Sequence, residues 1–190
     1  MKSPILLASL VAFLFSPMTS QAGEPAKLAI GQQAPAFSIK DSSGKEIDLA
    51  ALTAQGPVLV RLTCGCLGCN KELPYFQELH AAYKDKGLTS LAVFREPDAK
   101  VEAYVKEKKL NMLYAVDPKG ESWKVFATTT MPSNFLIEKG GRIAAISTGC
   151  DTSGLLASRL SEKAAALVGA AAVDVRGKVE AGKVEAGKAK

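Results

Sequence analysis

The feature that most constrains the fold is a cysteine cluster placed between an apolar segment and a segment with helical periodicity. The cluster Cys64-Gly65-Cys66-Leu67-Gly68-Cys69 follows the apolar run 57–60 after three intervening residues. Its inner pair, Cys66 and Cys69, has the C-x-x-C spacing of a dithiol/disulfide couple. Apolar side chains then recur at helical spacing. We therefore expect the cluster to lie at the junction of a strand and a helix. A fourth cysteine, Cys150, lies far along the chain.

Residues 1–22 are predicted to be a secretory signal peptide. Lys2 precedes the apolar stretch from Ile5 to Phe15, and Ser20-Gln21-Ala22 places small residues before a predicted cut at Gly23. The apolar stretch is shorter than the roughly 20 residues that a membrane-spanning helix needs. An uncleaved N-terminal anchor is the alternative. We therefore expect a periplasmic or otherwise exported protein, in a compartment where disulfides persist.

The other end of the chain is predicted to be a flexible tail, residues 173–190. Its unit Gly-Lys-Val-Glu-Ala occurs twice in tandem, the glycines disfavour a helix, and the valines are too few to bury a face. Residues 23–172 then form one domain large enough for a hydrophobic core. The net charge of +5 is modest and the basic residues are mixed with acidic ones, so nucleic-acid binding is not expected.

Within the domain, strand-like and helix-like segments alternate. A short hairpin or extended segment is expected near residues 36–45. Strands are expected at residues 57–63, 88–94, 112–116, 134–138 and 143–147. Helices are expected at residues 66–83, from 97 onward, around 123–126 and at 153–168. This order predicts an α/β sheet with helices on both faces, and a right-handed crossover would place the cysteine cluster at the carboxyl end of a central strand.

Three separated motifs carry a family resemblance. The first is Gly31-Gln32-Gln33-Ala34-Pro35-Ala36-Phe37, which is similar to a G-x-x-A-P-x-F opening, and the second is the C-x-x-C followed by Lys71-Glu72-Leu73-Pro74. The third is Met131-Pro132, ahead of a hairpin at Lys139-Gly140-Gly141-Arg142. With these motifs, residues 31–168 resemble exported TlpA/ResA-type thiol–disulfide oxidoreductases of the AhpC/TSA-like superfamily. The resemblance implies a thioredoxin-like fold, with a central mixed β-sheet flanked by helices on both faces.

Roles for four residues follow from position and from this resemblance. Cys66 is the candidate nucleophile, because the amino end of a helix favours a thiolate. Cys69, one turn later, is the candidate resolving thiol. The resemblance implies that Pro132 is a cis proline facing the dithiol. Glu72 is a candidate for proton transfer, with an ordinary solvated helix residue as the alternative.

The chain also departs from the family pattern. Gly65 and Leu67-Gly68 replace the usual tryptophan before the first cysteine and the proline between the two, and Cys64 is an additional sulfur. We hypothesise that Cys64 and Cys150 lie close together and form a second disulfide or an electron relay to Cys66. The alternative is that each is a small apolar filler.

The expected partners are protein thiols and disulfides, together with an upstream membrane reductant. No cofactor is expected. The sequence leaves open whether the protein reduces or oxidises its substrates, and it indicates no oligomeric state.

Metal binding is a first alternative function. The three clustered cysteines and Cys150 offer four sulfurs for copper or zinc. The chain has one C-x-x-C knuckle where such zinc sites usually have two, and its one histidine, His80, lies within the predicted helix. Covalent haem attachment is excluded because Asn70, not histidine, follows Cys69.

A peroxiredoxin-like thiol peroxidase is a second alternative. Thr63 and Cys66 match the T-x-x-C part of that motif, but Leu59 stands where its proline is expected. A peroxidase also needs an arginine near the thiolate, for which Arg61 and Arg95 are the candidates. A third alternative is a binding module that keeps the fold and uses its cysteines structurally.

Overall fold

The computed structural model of the protein describes residues 27–188. The predicted signal peptide, residues 1–22, lies outside this range. Within this range there are seven strands: β1 (Ser38–Lys40), β2 (Glu46–Asp48), β3 (Val58–Thr63), β4 (Thr89–Phe94), β5 (Leu113–Val116), β6 (Ser133–Ile137) and β7 (Ile143–Thr148). The same residues form six α-helices: α1 (Leu49–Gln55), α2 (Leu67–Tyr83), α3 (Asp98–Lys108), α4 (Glu121–Val125), α5 (Leu155–Leu167) and α6 (Val175–Lys188). Among the described helices, none has the length and apolar character needed to cross a membrane.

The main sheet has five strands in the order β5-β4-β3-β6-β7. Strand β3 runs parallel to β4 and antiparallel to β6, and β4 runs parallel to β5. Strands β1 and β2 form a separate antiparallel hairpin. The sheet is therefore mixed and β3 is its central strand, which confirms the predicted α/β fold. The crossover β3-α2-β4 brings the cysteine cluster to the carboxyl end of that strand.

All six residues of β3 are buried, because both faces of the sheet are covered. Alternate side chains of the strand enter different cores. Leu59 joins a core with Phe76 and Leu79 of α2, while Val58 and Val60 join the opposite core. Arg61 shares the α2 side with Leu59, since the two are separated by two positions. This places a charged side chain directly between the central strand and the helix that carries the C-x-x-C.

Helix α2 begins and ends where the sequence indicates. Cys66 is its N-cap residue, with an extended backbone conformation (φ −67°, ψ 162°). Pro74 is accommodated inside the helix. A 3₁₀ turn over Lys84–Lys86 follows the helix, and Gly87 then adopts φ 100°, a left-handed conformation that favours glycine.

Helix α1 was not predicted from the sequence. Asp48, the last residue of β2, caps this helix by accepting hydrogen bonds from the backbone N–H groups of Ala50 and Ala51. An aspartate immediately before a helix-forming run is a recognisable N-cap signal. The helix is short, which makes this signal easy to overlook.

The prediction of a flexible tail is wrong for residues 175–188, which form helix α6. Val175 is fully buried and Val179 is 8% exposed, and both join the core formed with α2 and α5. The two valines are four residues apart, so they lie on one helix face. Upstream of the helix, the buried hydroxyl of Tyr83 accepts a 2.9 Å hydrogen bond from the Val173 N–H. Packing against an existing core therefore overrides the poor helix propensity of the glycines.

Candidate active site

Three of the four cysteines form a compact sulfur cluster at the start of α2. Cys64 directly follows β3, Cys66 caps α2, and Cys69 lies in the first turn of that helix. Their three Sγ atoms all lie within 4.8 Å of one another. Cys66 is exposed, Cys64 is half-buried and Cys69 is buried. Within this cluster, the thiol open to a macromolecular substrate is thus that of Cys66, and the other two sulfurs are less accessible.

Cys66 is the thiol whose environment favours the thiolate. Partial burial opposes its ionisation, but hydrogen bonds from the Cys64 thiol, from the Cys69 backbone and thiol, and from the Gly68 backbone outweigh burial and lower its pKa. The free N–H groups at the amino end of α2 explain the backbone contribution. The exposed thiol of the cluster is therefore the one whose pKa is lowered.

Cys64 differs from Cys66 in that its surroundings raise the pKa of its thiol. Its Sγ lies 3.4 Å from the Sγ of Cys69. Burial raises its pKa above the ordinary cysteine range, and the hydrogen bond that it donates to Cys66 raises it further. Of the two thiols, Cys64 is thus the weaker acid and Cys66 the stronger.

Cys150 approaches the cluster from the loop after β7. A Cβ atom built on Gly68 would lie 2.7 Å from the Cys150 Sγ, so the absent side chain at position 68 makes room for this sulfur. Burial and the nearby charge of Glu72 raise the Cys150 pKa. The thiol that contacts Cys64 is that of Cys69, and Cys150 lies outside the three-sulfur group. A Cys64–Cys150 contact is therefore not preformed, and the hypothesis of a second disulfide between them stays a prediction.

A buried ion pair joins the central strand to α2. The Arg61 Nη2 donates to the Glu72 Oε2 at 2.8 Å, and both side chains are at most 2% exposed. Arg61 also donates to the Asn134 Oδ1 on β6 at 2.8 Å, and its guanidinium lies 3.9 Å from the centre of the Phe76 ring. The alternative that Glu72 is a solvated residue is therefore wrong. The sequence signal for this network was a lone arginine inside an apolar strand, a signal that does not by itself point to Glu72.

The second carboxylate oxygen of Glu72 reaches the Cys150 loop. Its Oε1 accepts a hydrogen bond from the backbone N–H of Asp151. Asp151 in turn organises the loop by accepting from the N–H groups of Ser153 and Leu156. One buried carboxylate thus links the central strand, the C-x-x-C helix and the segment that carries Cys150.

The Met131–Pro132 peptide bond is cis, as the family resemblance implies. Pro132 immediately precedes β6, and its carbonyl accepts a 2.9 Å hydrogen bond from the Gly149 N–H. This bond fixes the residue directly ahead of Cys150. The role of Pro132 opposite the dithiol stays a prediction.

A cavity of about 280 Å³ opens beside Cys66, between α2 and α3. It is lined by Gly65, Cys66, Phe94, Glu96, Lys100, Val101 and Tyr104. The Glu96 Oε1 accepts a 2.6 Å hydrogen bond from the Gly65 N–H and so fixes the backbone ahead of the nucleophile. Burial raises the pKa of Tyr104 to about 12, so its hydroxyl group keeps its proton at neutral pH. The cavity is large enough for a side chain of a bound substrate.

The alternative functions need either an arginine near the thiolate, for a peroxidase, or a set of metal ligands. Arg61 is committed to Glu72 and Asn134, and the Arg95 guanidinium lies 5.7 Å from the Trp123 ring centre. His80 lies in the last turn of α2, whereas the cysteines surround its first turn. The three clustered thiols are nevertheless a set of soft ligands of the type that Cu(I) and Zn²⁺ prefer.

Comparison with known proteins identifies the lineage of this site. The model of the AhpC/TSA family matches residues 30–146. The chain belongs to the AhpC/TSA family. The matched region spans β1 to β7 almost completely and includes the whole cysteine cluster.

Among curated AhpC/TSA-type relatives, several are named thiol–disulfide oxidoreductase ResA. The protein of that name from Bacillus thuringiensis subsp. konkukian is 36% identical over 118 residues, which cover 62% of this chain and 68% of the relative. The Geobacillus kaustophilus protein is 31% identical over 153 residues, which cover 80% of this chain and 88% of the relative.

Solved structures agree with this assignment of the fold. A candidate thiol:disulfide interchange protein DsbE from Chlorobium tepidum superposes with a TM-score of 0.68 at 23% identity, covering 75% of this chain and 99% of that one. A thiol:disulfide interchange protein from Bacteroides sp. gives a TM-score of 0.60 at 25% identity, covering 71% and 90%. The thioredoxin-like fold implied by the sequence motifs is thus confirmed.

Proposed function

We propose that this thiol–disulfide oxidoreductase uses Cys66 and Cys69 as its redox couple, acts on protein thiols and disulfides, and works outside the cytoplasm. The observation that carries the proposal is the position of Cys66. It is exposed, it caps α2, and its pKa is lowered by donors that its own cluster provides. Membership of the AhpC/TSA family and the relatives named ResA support the same chemistry.

The proposed reaction with a substrate disulfide has two exchange steps. The Cys66 thiolate attacks one substrate sulfur, forming a mixed disulfide and releasing the other substrate sulfur as a thiolate. Cys69 then attacks the Cys66 sulfur, forming the Cys66–Cys69 disulfide and releasing the second substrate thiolate. The substrate gains two electrons and the protein loses two. In the opposite direction the same steps transfer a disulfide to the substrate.

In the second step Cys69 must lose a proton inside the protein. We assign Glu72 as the group that assists this transfer, because it is a buried carboxylate three residues after Cys69 on the same side of α2. Its hydrogen bonds to Arg61 and to the Asp151 N–H hold it in place. Pro132 is assigned to the wall that receives the substrate chain opposite the dithiol.

The proposal is tested by a disulfide-reductase assay with insulin as substrate and dithiothreitol as reductant. We expect Cys66→Ser to abolish turnover. After removal of dithiothreitol, we expect reduced Cys69→Ser to accumulate a mixed disulfide between Cys66 and the substrate, visible on a non-reducing gel. Cys150→Ser is the matched control because its sulfur lies outside the three-sulfur group. Retention of turnover by Cys66→Ser would exclude the assigned nucleophile.

Export is the second element of the proposal, supported by the signal-peptide pattern of residues 1–22. The expected mature N-terminus is Gly23, to be determined by N-terminal sequencing of protein isolated from the periplasmic fraction. A cytoplasmic, uncleaved chain would contradict it. An exported protein that reduces substrates also needs an upstream membrane reductant, and reduction of the oxidised Cys66–Cys69 disulfide by a membrane fraction is the assay that detects it.

Binding of a soft metal is a second candidate function, favoured by the convergence of three thiols within 4.8 Å. Anaerobic titration of the reduced protein with Cu(I) in the presence of a competing chelator tests it. Stoichiometric binding that needs all three clustered cysteines would support a metal site. Loss of the metal to the chelator at every ratio would exclude it.

A further inference from the structure

We propose that Cys64 is a third redox cysteine, which moves the disulfide of the oxidised protein from Cys66–Cys69 to Cys64–Cys69 and so releases Cys66 from its disulfide. This inference rests on the proposed function, because it starts from the Cys66–Cys69 disulfide. It assigns a chemical role to the one sulfur in the cluster that the two-step exchange leaves unused.

The distances within the cluster favour this exchange. The Sγ atoms of Cys64 and Cys69 are 3.4 Å apart, whereas a disulfide bond is about 2.05 Å long. A small side-chain rotation therefore brings the two sulfurs to bonding distance. Cys69 lies between two potential partners, since the Cys66 sulfur also lies within 4.8 Å. The same buried sulfur thus has two potential disulfide partners close to it.

The exchange is balanced without an external oxidant or reductant. The Cys64 sulfur attacks the Cys69 sulfur, the Cys64–Cys69 bond forms, and the Cys66–Cys69 bond breaks. The electron pair of the broken bond stays on Cys66 as the leaving thiolate, and the proton of Cys64 is transferred to Cys66 or to solvent. The number of disulfides and the oxidation state of the protein are unchanged.

Position accounts for the order of events. In the reduced protein Cys66 is exposed at the N-cap of α2, whereas Cys64 is half-buried, so Cys66 rather than Cys64 attacks a substrate. Once Cys66 is bonded to Cys69, Cys64 is the remaining thiol next to the new disulfide. After the exchange Cys64 has given up its proton and is bonded to Cys69, and Cys66 is the one free sulfur of the three.

Position and exposure give the exchange a functional consequence. Cys66 is exposed and borders the 280 Å³ cavity, whereas Cys69 is buried. A Cys64–Cys69 disulfide therefore leaves the oxidised protein with an accessible nucleophile at its substrate-binding end. Such a protein can open a further substrate disulfide before it is reduced, which a two-cysteine site cannot do.

Differential labelling tests the inference on the full-length protein. The protein is oxidised with diamide, treated with iodoacetamide under native conditions, then reduced and labelled with N-ethylmaleimide. Trypsin cleavage after Arg61 and Lys71 yields one peptide that contains all three clustered cysteines, and tandem mass spectrometry locates each label. We expect a fraction of wild-type peptide with iodoacetamide on Cys66 and N-ethylmaleimide on Cys64 and Cys69.

Two single variants and one double variant complete the test. Oxidised Cys64→Ser is expected to lose the iodoacetamide label on Cys66, because no second partner for Cys69 remains. Oxidised Cys66→Ser is expected to form an intramolecular Cys64–Cys69 disulfide, and the double variant Cys64→Ser/Cys66→Ser is the control that lacks it. Iodoacetamide found on Cys64 alone in oxidised wild type, with no Cys64–Cys69 disulfide in Cys66→Ser, would overturn the inference.

Failure of this inference is distinguishable from failure of the proposed function. If oxidised Cys64→Ser contains a Cys66–Cys69 disulfide but wild type never labels on Cys66, the redox couple stands and Cys64 has no redox role. If oxidised Cys64→Ser contains no Cys66–Cys69 disulfide, the proposed function itself fails.

Discussion

The guanidinium of Arg61 and the carboxylate of Glu72 form an ion pair 2.8 Å apart in the interior of the protein. Arg61 belongs to the central strand and Glu72 to the helix that presents the C-x-x-C. Additional hydrogen bonds to Asn134 and from the Asp151 N–H satisfy other atoms of the pair. The pair therefore fixes the position of α2 relative to the sheet, and with it the position of Cys66 and Cys69.

Removal of one partner is expected to destabilise the protein strongly. Glu72→Ala leaves the Arg61 guanidinium buried without its carboxylate, for which losses of about 3–5 kcal/mol are typical. Urea denaturation monitored by circular dichroism measures the free energy of unfolding. The matched control is Glu121→Ala, which breaks the exposed pair with Lys124 and is expected to cost at most about 1 kcal/mol. Equal losses for the two variants would contradict the structural role of the buried pair.

The main sheet and the helices around it could be predicted from the sequence because their signals are local. Uninterrupted apolar runs indicated β3 and β4, and helical periodicity indicated α2. The motifs at Cys66, Pro74 and Met131-Pro132 supplied the family resemblance, and through it the candidate site. All these signals lie within single segments of the chain.

The features that were not predicted from the sequence depend on contacts between distant segments. The Arg61–Glu72 pair joins two elements, and the burial of Val175 depends on a surface formed by α2 and α5. The 3.4 Å separation of the Cys64 and Cys69 sulfurs depends on the path of the backbone between the end of β3 and the start of α2. None of these distances follows from residue type or spacing, because each is set by three-dimensional packing.

The C-terminal helix is expected to contribute to stability through its two buried valines. Val175→Ala removes two methyl groups from a fully buried position, and we expect a loss of about 1–3 kcal/mol in the free energy of unfolding. Val184 belongs to the same helix but is 57% exposed, so Val184→Ala is the matched control, with an expected change within about 0.5 kcal/mol. A Val175→Ala protein as stable as wild type would indicate that α6 does not pack on the domain in solution.

Gly154, in the Cys150 loop, is expected to tolerate alanine less well than its neighbour Gly149. Gly154 and Gly149 both have positive φ, 78° and 90°, so alanine at either site costs about 1–2 kcal/mol in backbone strain. A Cβ on Gly154 would additionally lie 2.6 Å from the ring of the buried Tyr75, whereas nothing lies within 4 Å at Gly149. We therefore expect a further loss of about 1–3 kcal/mol for Gly154→Ala, measured by thermal and urea unfolding. Similar values for both variants would contradict the close approach of Tyr75.

The acidity of Cys66 is expected to depend on the thiol of Cys64. Cys64→Ala removes a hydrogen-bond donor to the Cys66 thiolate, so the pKa of Cys66 should rise toward the ordinary cysteine value of about 8.5. The pH dependence of the iodoacetamide reaction at Cys66 measures this pKa. Cys150→Ala is the control, because Cys150 is not among the groups that lower the pKa of Cys66. An unchanged pH profile in Cys64→Ala would show that Cys64 does not stabilise the thiolate.

The same pKa has a consequence for the stability of the reduced protein. Because the pKa of Cys66 is lower in the folded than in the unfolded state, the unfolded chain binds more protons between the two pKa values. The contribution of this thiolate to stability is therefore fully present above the unfolded-state pKa and is lost as the pH falls through the folded-state pKa. We expect the difference in unfolding free energy between reduced wild type and reduced Cys66→Ala to grow with pH across this window. A difference that stays constant, or that shrinks as the pH rises, would contradict a lowered pKa at Cys66.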